Sequence, residues 1–414
     1  MKRWICLLIT LCLLGSAACA EGVLRVSSAW FADERYQALH PEAKLKVFTY
    51  EDDVDELFRT GEWDALCLST DAYSLRELYE KGYLLDLGTV PEAAALSEGM
   101  FATIRAGCSA GDTLVALPAG YIGLQTCGYR LMGTDHNGEP DEEQLALRER
   151  LGFTEADQPT NFAQVCELGV RYMALSRETR KGTTFLWSDD AKPGYVLLYN
   201  MIRAYLCEAT REDGTVSFDT PEFRKALADA RPLLDAFEAD PKRTYDEDGR
   251  IRTVLNEAVG LIGYGVFPHV PEDDSIPAFM DVVVVNPKSP NLKQAIDYAL
   301  CASQVTGSMA LQLYASADYD EQLAISYDKD IAAQIEQGED ASVIEELEAR
   351  KAAKDERYFV PRKTIARYVE EIMPKLVFRR CALEREAVAC ELLMPYLNGE
   401  LTDDAFIAAL DEEK

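Results

Sequence analysis

The chain has 414 residues, 48% of them hydrophobic, and sets 42 Lys and Arg against 72 Asp and Glu for a formal charge of −30. That hydrophobic share is globular, and the acidic excess argues against nucleic-acid backbones and anionic lipid surfaces as partners. The length exceeds one ordinary core, so two lobes are expected.

The chain opens on an export segment. Lys2 and Arg3 precede an apolar run at 4–14 (WICLLITLCLL), and the small residues GSAACA follow. A charged start, a short apolar stretch and a small-residue cleavage site make residues 1–20 a secretory signal. As a helix the apolar run reaches about 16 Å, roughly half a bilayer core, so it is not a span. Two processing sites compete. Ser16-Ala17-Ala18-Cys19 resembles a lipoprotein box, which would lipidate Cys19 and anchor the protein by lipid alone. Ala18-Cys19-Ala20 is an A-x-A site that would release a soluble chain at Glu21. Either cut places the protein at the cell surface or in the periplasm.

Residues 23–28 (VLRVSS) predict a strand, 32–40 a helix, and the alternating KLKVFTY at 44–50 a second strand. A helix over DDVDELFRT stops at Gly61, and WDALCLS at 63–69 reads as a buried strand with Trp63 in the core. Residues 74–81 give a helix stopped by Gly82. Strands alternating with helices at this spacing argue a parallel α/β sheet. Strands are expected at 112–118 and 124–130, then a loop at 133–144. Helices follow at about 161–175, with Thr160 or Asn161 as N-cap, at 194–209, and at 220–239, where Thr220 and Pro221 stand in N-cap and N1 order. Residues 258–264 and 281–285 read as strands and 291–303 as a helix. Beyond 307 the chain is nearly all helix-forming, and the charged stretch 329–357 predicts a solvated helical hairpin.

Cys67, Cys108, Cys127, Cys166, Cys207, Cys301, Cys381 and Cys390 follow the signal. Eight thiols allow four disulfides, but a chain this large needs no staples, and runs such as DALCLS and YALCAS place Cys like a small core residue. Mostly reduced, buried thiols are expected. No pair has metal-ligand spacing, so neither metal nor cofactor is expected.

Four passages and the C-terminus together resemble the extracellular solute-binding proteins of bacterial ABC importers, family 1, a mostly carbohydrate-binding group. They are WDALCLSTDAYSLRELYEKGYLLDLG (63–88), GDTLVALPAGYIGLQTCGYR (111–130), DGTVSFDTPEFRKAL (213–227), AVGLIGYGVFPHV with VVVVNPKSPNLKQAIDYALCAS (258–270, 282–303), and YLNGELTDDAFIAALDEE (396–413). The resemblance implies a two-lobe, type II periplasmic-binding-protein-like α/β fold. Each lobe would be a mixed, mostly parallel sheet flanked by helices, followed by a helical C-terminal region. Lobe 1 would comprise 21–118 and 266–306, and lobe 2 would comprise 122–262 and 307–414. Hinge crossovers would lie near 118–123 and 262–268, both rich in Gly and Pro. It implies a monomer that closes on a small solute, most often a sugar or oligosaccharide, and delivers it to an ABC permease driven by a cytoplasmic ATPase.

Ligands of open α/β sheets sit at the carboxyl ends of strands. Those ends hold Trp30 and Phe31 after the first strand, and Thr70, Asp71 and Tyr73 after the third. Tyr121 lies in the first crossover, and Tyr264 and Phe267 in the second. Trp187, Asp189 and Asp190 form a loop of the second lobe. A pyranose offers an apolar C–H face and a rim of hydroxyls, so flat aromatics beside carboxylates suit it. Asp71 could instead cap the helix that follows, and the Asp189-Asp190 pair could be a turn. The three acidic candidates also leave room for a cationic solute such as a polyamine, peptide or amino-sugar, and a ligand-presenting partner of a sensor kinase is a further reading. G-x-S-x-G, H-E-x-x-H, P-loop and GxGxxG motifs are all missing, and the chain has 3 His, so no enzyme is expected; a secreted glycan-active hydrolase is the residual alternative.

Overall fold

The computed structural model describes residues 22–28, 32–49, 52–125, 128–134, 140–187, 192–211, 213–241, 245–258, 270, 275–338, 341–357, 359–382 and 384–412. It resolves into two compact units. The chain up to Ile122 joins Met280–Val369 in the first, and Gly123–Phe279 joins the chain from Glu370 onward in the second.

In chain order the first unit begins β1 (Val23–Ser27), α1 (Ala32–Leu39), β2 (Lys44–Phe48), α2 (Val54–Thr60), β3 (Ala65–Ser69) and α3 (Leu75–Glu80). Next come α4 (Pro91–Glu98), α5 (Ala102–Gly107), the short pair β4 (Ser109–Ala110) and β5 (Thr113–Leu114), and β6 (Leu117–Leu124), which crosses into the second unit. There follow β7 (Gly128–Leu131), α6 (Glu142–Arg150), α7 (Phe162–Ala174), β8 (Thr183–Thr184), α8 (Pro193–Ala209), α9 (Pro221–Ala239), β9 (Arg252–Thr253) and β10 (Leu255–Ala258). The strand β11 (Ile276–Val285) returns to the first unit, which continues through α10 (Leu292–Ala302), α11 (Ser308–Leu313), α12 (Tyr319–Gln337), α13 (Ala341–Ala352) and α14 (Arg362–Arg367). Finally β12 (Leu376–Phe378), α15 (Glu384–Leu397) and α16 (Asp403–Asp411) complete the second unit.

In the first unit β1 pairs in parallel with both β2 and β3, and β11 lies antiparallel to β3 with Asp281 opposite Ser69 and Val285 opposite Ala65. The sheet is therefore mixed. Its inner strands β3 and β11 are largely buried on both faces, which explains why LCLS and VVVV read as unbroken apolar runs, whereas the edge strand β2 is mostly exposed. Trp63 is 1% exposed and meets Phe58 edge-on at 5.3 Å, as expected of a core residue.

The amino-terminal end of β3 is locked by a carboxylate. Asp64, fully buried, accepts from the Arg25 backbone N–H at 2.7 Å, from the Arg25 guanidinium at 3.2 Å and from the Ser289 hydroxyl at 2.6 Å. Burial alone would push this carboxyl up. The Arg25 and Ser289 hydrogen bonds outweigh it and hold Asp64 below the usual carboxylate range.

The sequence division returns the chain to the second lobe at 307, whereas the contacts keep it in the first unit until Val369. The reason is local. Phe101 N–H bonds Leu313 O at 3.2 Å, Tyr314 OH donates to Ser303 O at 2.9 Å, and Tyr368 OH donates to Gln312 O at 3.2 Å. The helices α11 to α14 are thereby fastened to α5 and α10. Within this run α12 and α13 form the expected hairpin, starting earlier than predicted; Gly338 turns the chain at φ +74°, and α13 buries no residue.

In the second unit the described strands are short. β7 and β10 are antiparallel, while β8 with β9 and β11 with β12 are parallel. Packing is dominated by helices. α7 rests on α9 at Gly169, where a Cβ would come 2.5 Å from Leu233 and 2.7 Å from Phe185. Asn161 caps α7 and Thr220 caps α9, each accepting from the backbone N–H three residues on. α4, α5, α6 and β12 carry no strong periodic signal and emerge only in the fold; α6 is started by Asp141 at the end of the predicted 133–144 loop.

Asp64→Asn is expected to cost the protein about 2–4 kcal/mol near neutral pH. A group whose folded pKa is depressed contributes above its unfolded value and loses that contribution as pH falls through the folded one. The gap between wild type and variant, measured by urea unfolding, should therefore hold from pH 7 to about 5 and shrink below about 4.

Candidate functional site

β1, β2 and β3 run in parallel, so the loops after all three leave the same edge of the first unit's sheet. At this edge Thr70, Asp71 and Tyr73 follow β3 directly. Thr70 is 5% exposed: its backbone N–H donates to Met280 O at 3.1 Å, and its Oγ1 accepts from Met280 N–H at 3.0 Å. The loop is thus clamped to β11 at its first residue in this unit. Asp71 accepts from the Ser69 hydroxyl, which turns its carboxyl back toward the strand end. It does not cap α3, since Ser74 does so, accepting from Glu77 N–H at 3.3 Å. Tyr73 is half-buried, with its ring edge-on to Phe58 at 6.1 Å.

The same edge receives β1, whose last residue is held on two sides. Ser27 Oγ accepts from Cys67 N–H at 2.7 Å, and Ser27 O accepts from Tyr298 OH at 3.1 Å. Trp30 and Phe31, expected just beyond it, lie outside the described residues, as do Asp189, Asp190, Tyr264, Phe267 and Cys19. Tyr121 stands within β6, in the crossing segment.

In the second unit Trp187 emerges from the core. Phe185 and Leu186 before it are 1% exposed, while Trp187 is 49% exposed. Backbone bonds from Val254 N–H to Thr184 O (2.8 Å) and from Leu255 N–H to Phe185 O (3.0 Å) fix the chain leading to it. Half of the Trp187 side chain is thus accessible to solvent.

A second polar and aromatic patch of this unit escaped sequence reasoning. On α8, Tyr195, Tyr199 and Arg203 are spaced four apart and share one face; the Tyr195 and Tyr199 rings stack at 6.4 Å. Asn200 beside them donates to Tyr129 OH at 2.6 Å and to Glu257 Oε1 at 3.2 Å. Tyr199 OH donates to Glu386, and burial together with that bond pushes its pKa up to about 12. Arg203 Nε donates to Gln125 O at 2.9 Å, just past the end of β6. The signal that could have found this patch is the i, i+4, i+8 polar stripe on an otherwise apolar helix.

Two cavities of the second unit hold none of the sequence candidates. The larger, about 230 Å³, is walled by Pro193, Leu234, Phe237 and Leu397 with Arg231 and Lys192 at its rim. Among the described residues no group of three or more His, Cys, Asp or Glu could hold a metal ion, and no helix is long and apolar enough to cross a membrane.

The arrangement aligns with solved structures over almost its whole length. A periplasmic-binding protein of oligosaccharide type from Synechococcus sp. MITs9220 matches at a TM-score of 0.51 and 14% identity, covering 94% of this chain and 97% of that one. Two further structures align over 94% of the chain. They are the ABC substrate-binding protein Lmo0181 from Listeria monocytogenes in complex with cycloalternan (TM-score 0.47, 13% identity, 96% of that chain) and maltose-bound MalE3 of T. maritima (0.49, 14%, 98%). The chain therefore has the periplasmic-binding-protein-like fold of the solute-binding proteins. No protein-family model matches its sequence, and no curated protein does.

The clamp at Thr70 separates structure from binding. Thr70→Val leaves a buried Met280 N–H without its acceptor and should cost about 1–3 kcal/mol of stability by urea unfolding. Asp71→Ala removes a carboxylate that, among the described residues, accepts a hydrogen bond from Ser69, and should change stability by less than half that amount.

Proposed function

We propose that the chain is an exported solute-binding protein that captures a small carbohydrate and delivers it to an ABC permease. The observation that carries this reading is the fold likeness to a periplasmic-binding protein of oligosaccharide type, which runs over 94% of the chain. The chemistry on the page supports it. Each unit presents aromatic faces beside carboxylates or amides: Tyr73 with Asp71 in the first, and Trp187 and the Tyr195–Tyr199 pair with Asn200 and Glu257 in the second. Such pairs meet the two faces of a neutral polyol, apolar C–H and hydroxyl rim. Trp30, Phe31, Tyr121, Asp189, Asp190, Tyr264 and Phe267 complete the proposed contacts.

The protein on this reading breaks no bond and works as a monomer. Ligand shifts it toward the conformation that binds best, and the permease recognises that conformation; the driving energy comes from the permease's cytoplasmic ATPase. Residues 118–123 and 262–268 are the proposed hinges. The first falls inside β6, where Gly120 takes φ +140°, a conformation L side chains rarely adopt, so this strand carries an irregularity only glycine accepts freely. Residues 1–20 are the proposed signal, with Cys19 as the lipid anchor.

A thermal-shift screen of the mature protein against mono- and oligosaccharides tests the reading, with polyamines and short peptides alongside. Ligand at a hundred times its dissociation constant adds about 2.7 kcal/mol to the folded state, a shift of roughly 3 °C for a chain of this length. A saturable shift with one glycan class is the expected result. Shifts confined to cations or peptides would reassign the cargo. Trp187→Ala should weaken glycan binding about fivefold while leaving the unliganded melting temperature unchanged, because so exposed a side chain contributes little to the core. Unchanged affinity by calorimetry would remove Trp187 from the site.

A further inference from the structure

We propose that Cys207 and Cys381 are a disulfide-forming pair, joined while the chain folds in an oxidising compartment. Cys207 lies near the end of α8 and Cys381 three residues past β12, both in the second unit. They are 0% and 3% exposed, and their sulfurs lie 3.3 Å apart. A disulfide needs about 2.05 Å, so the sulfurs must approach by a little over an ångström. Among the described residues no other two cysteine sulfurs are in hydrogen-bond contact.

The backbone around the pair is already fixed in place. Ala382 N–H donates to Thr210 Oγ1 at 3.2 Å, tying the residue after Cys381 to the turn that ends α8. The Gln125 side chain donates to Arg379 O at 3.1 Å, and Gln125 O accepts from the Cys207 thiol at 3.5 Å. The Ala382 and Gln125 side-chain bonds persist whether or not the cysteines are joined, whereas the thiol's bond to Gln125 O is given up on oxidation. The bond would close a loop spanning 174 positions, the regime in which a cross-link restricts the unfolded chain most.

Oxidation proceeds by exchange with a low-molecular-weight disulfide. One cysteine thiolate attacks a sulfur of that disulfide, forming a mixed disulfide and expelling one small thiolate. The second cysteine thiolate then attacks the protein sulfur of the mixed disulfide and expels the other. The protein loses two thiol hydrogens as protons, and the small disulfide gains two electrons and becomes two thiols. Burial, reinforced by the neighbouring Cys381, raises the Cys207 thiol well above its ordinary value. Thiolate is therefore scarce once the unit has packed, and the state reached during folding persists.

The mature protein is unfolded and refolded with oxidised glutathione, or with a phosphine reductant, then denatured, alkylated and weighed. The oxidised sample should be about 2 Da lighter before alkylation and carry two fewer alkyl groups. Its digest should contain a peptide joining Cys207 to Cys381, and it should melt roughly 5 °C or more above the reduced sample. Cys207→Ser and Cys381→Ser should each abolish the joined peptide, while Cys127→Ser should leave it. Full alkylation after oxidised refolding, or linkage through a different pair, would overturn the proposal. Because the wild-type digest decides the matter, a variant that fails to fold does not rescue it. Glycan binding is read separately, so either outcome leaves the reading of solute capture where it stands.

Discussion

A strand that serves two cores must satisfy both registers at once, and β11 carries that constraint here. Its first residues, Ile276 to Ala278, pair in parallel with β12, while Asp281 to Val285 pair antiparallel with β3. Only Phe279 and Asp281 along its length escape full burial. A one-residue slip would place every side chain of one half on the wrong face. Thr70 holds the register at the changeover, bonding both the N–H and the carbonyl of Met280. The loop that follows β3 is therefore placed by the same bonds that fix the crossing strand.

At the start of β3, the strand end away from Thr70, the constraint is electrostatic. Asp64 is withdrawn from water and is tolerated because Arg25, Ser289 and a backbone N–H saturate its oxygens. These donors come from β1 and from the segment after β11, which are far apart in the chain. The carboxylate thus joins the start of the chain to a stretch that arrives more than two hundred residues later. Such a group adds specificity of arrangement more than net stability.

Much of the first unit was legible because local signals agreed. Alternation at KLKVF, the unbroken run at LCLS and Gly61 at the end of α2 each point to the element found, whereas the caps Asp53 and Ser74 emerged only in the fold. Thr220-Pro221 was equally plain, and of the two cap candidates Thr160 and Asn161 the structure uses Asn161. What stayed hidden depends on tertiary context. β12 is three residues long and exists because β11 offers it an edge. The attachment of α11 to the first unit rests on hydrogen bonds between residues such as Phe101 and Leu313, which no periodicity encodes. The candidate site divides in the same way. Strand ends could be read off, which located Thr70, Asp71 and Tyr73, but a hydroxyl's bond to a distant backbone could not, and neither could the company that Tyr199 and Asn200 keep with Glu386, Tyr129 and Glu257.

The discontinuity of the first unit sets an order of events for a chain that emerges from its N-terminus. β1, β2 and β3 can form early, yet the inner edge of β3 stays bare until residues 281–285 arrive. Asp64 meanwhile lacks Ser289, and α1 lacks the Tyr298 ring that packs on Tyr36 at 5.4 Å. Three strands with an open edge and an unsaturated carboxylate form a weak assembly. Most of the polypeptide must therefore be present before the first unit can close, so this unit is completed late in chain order although it begins first.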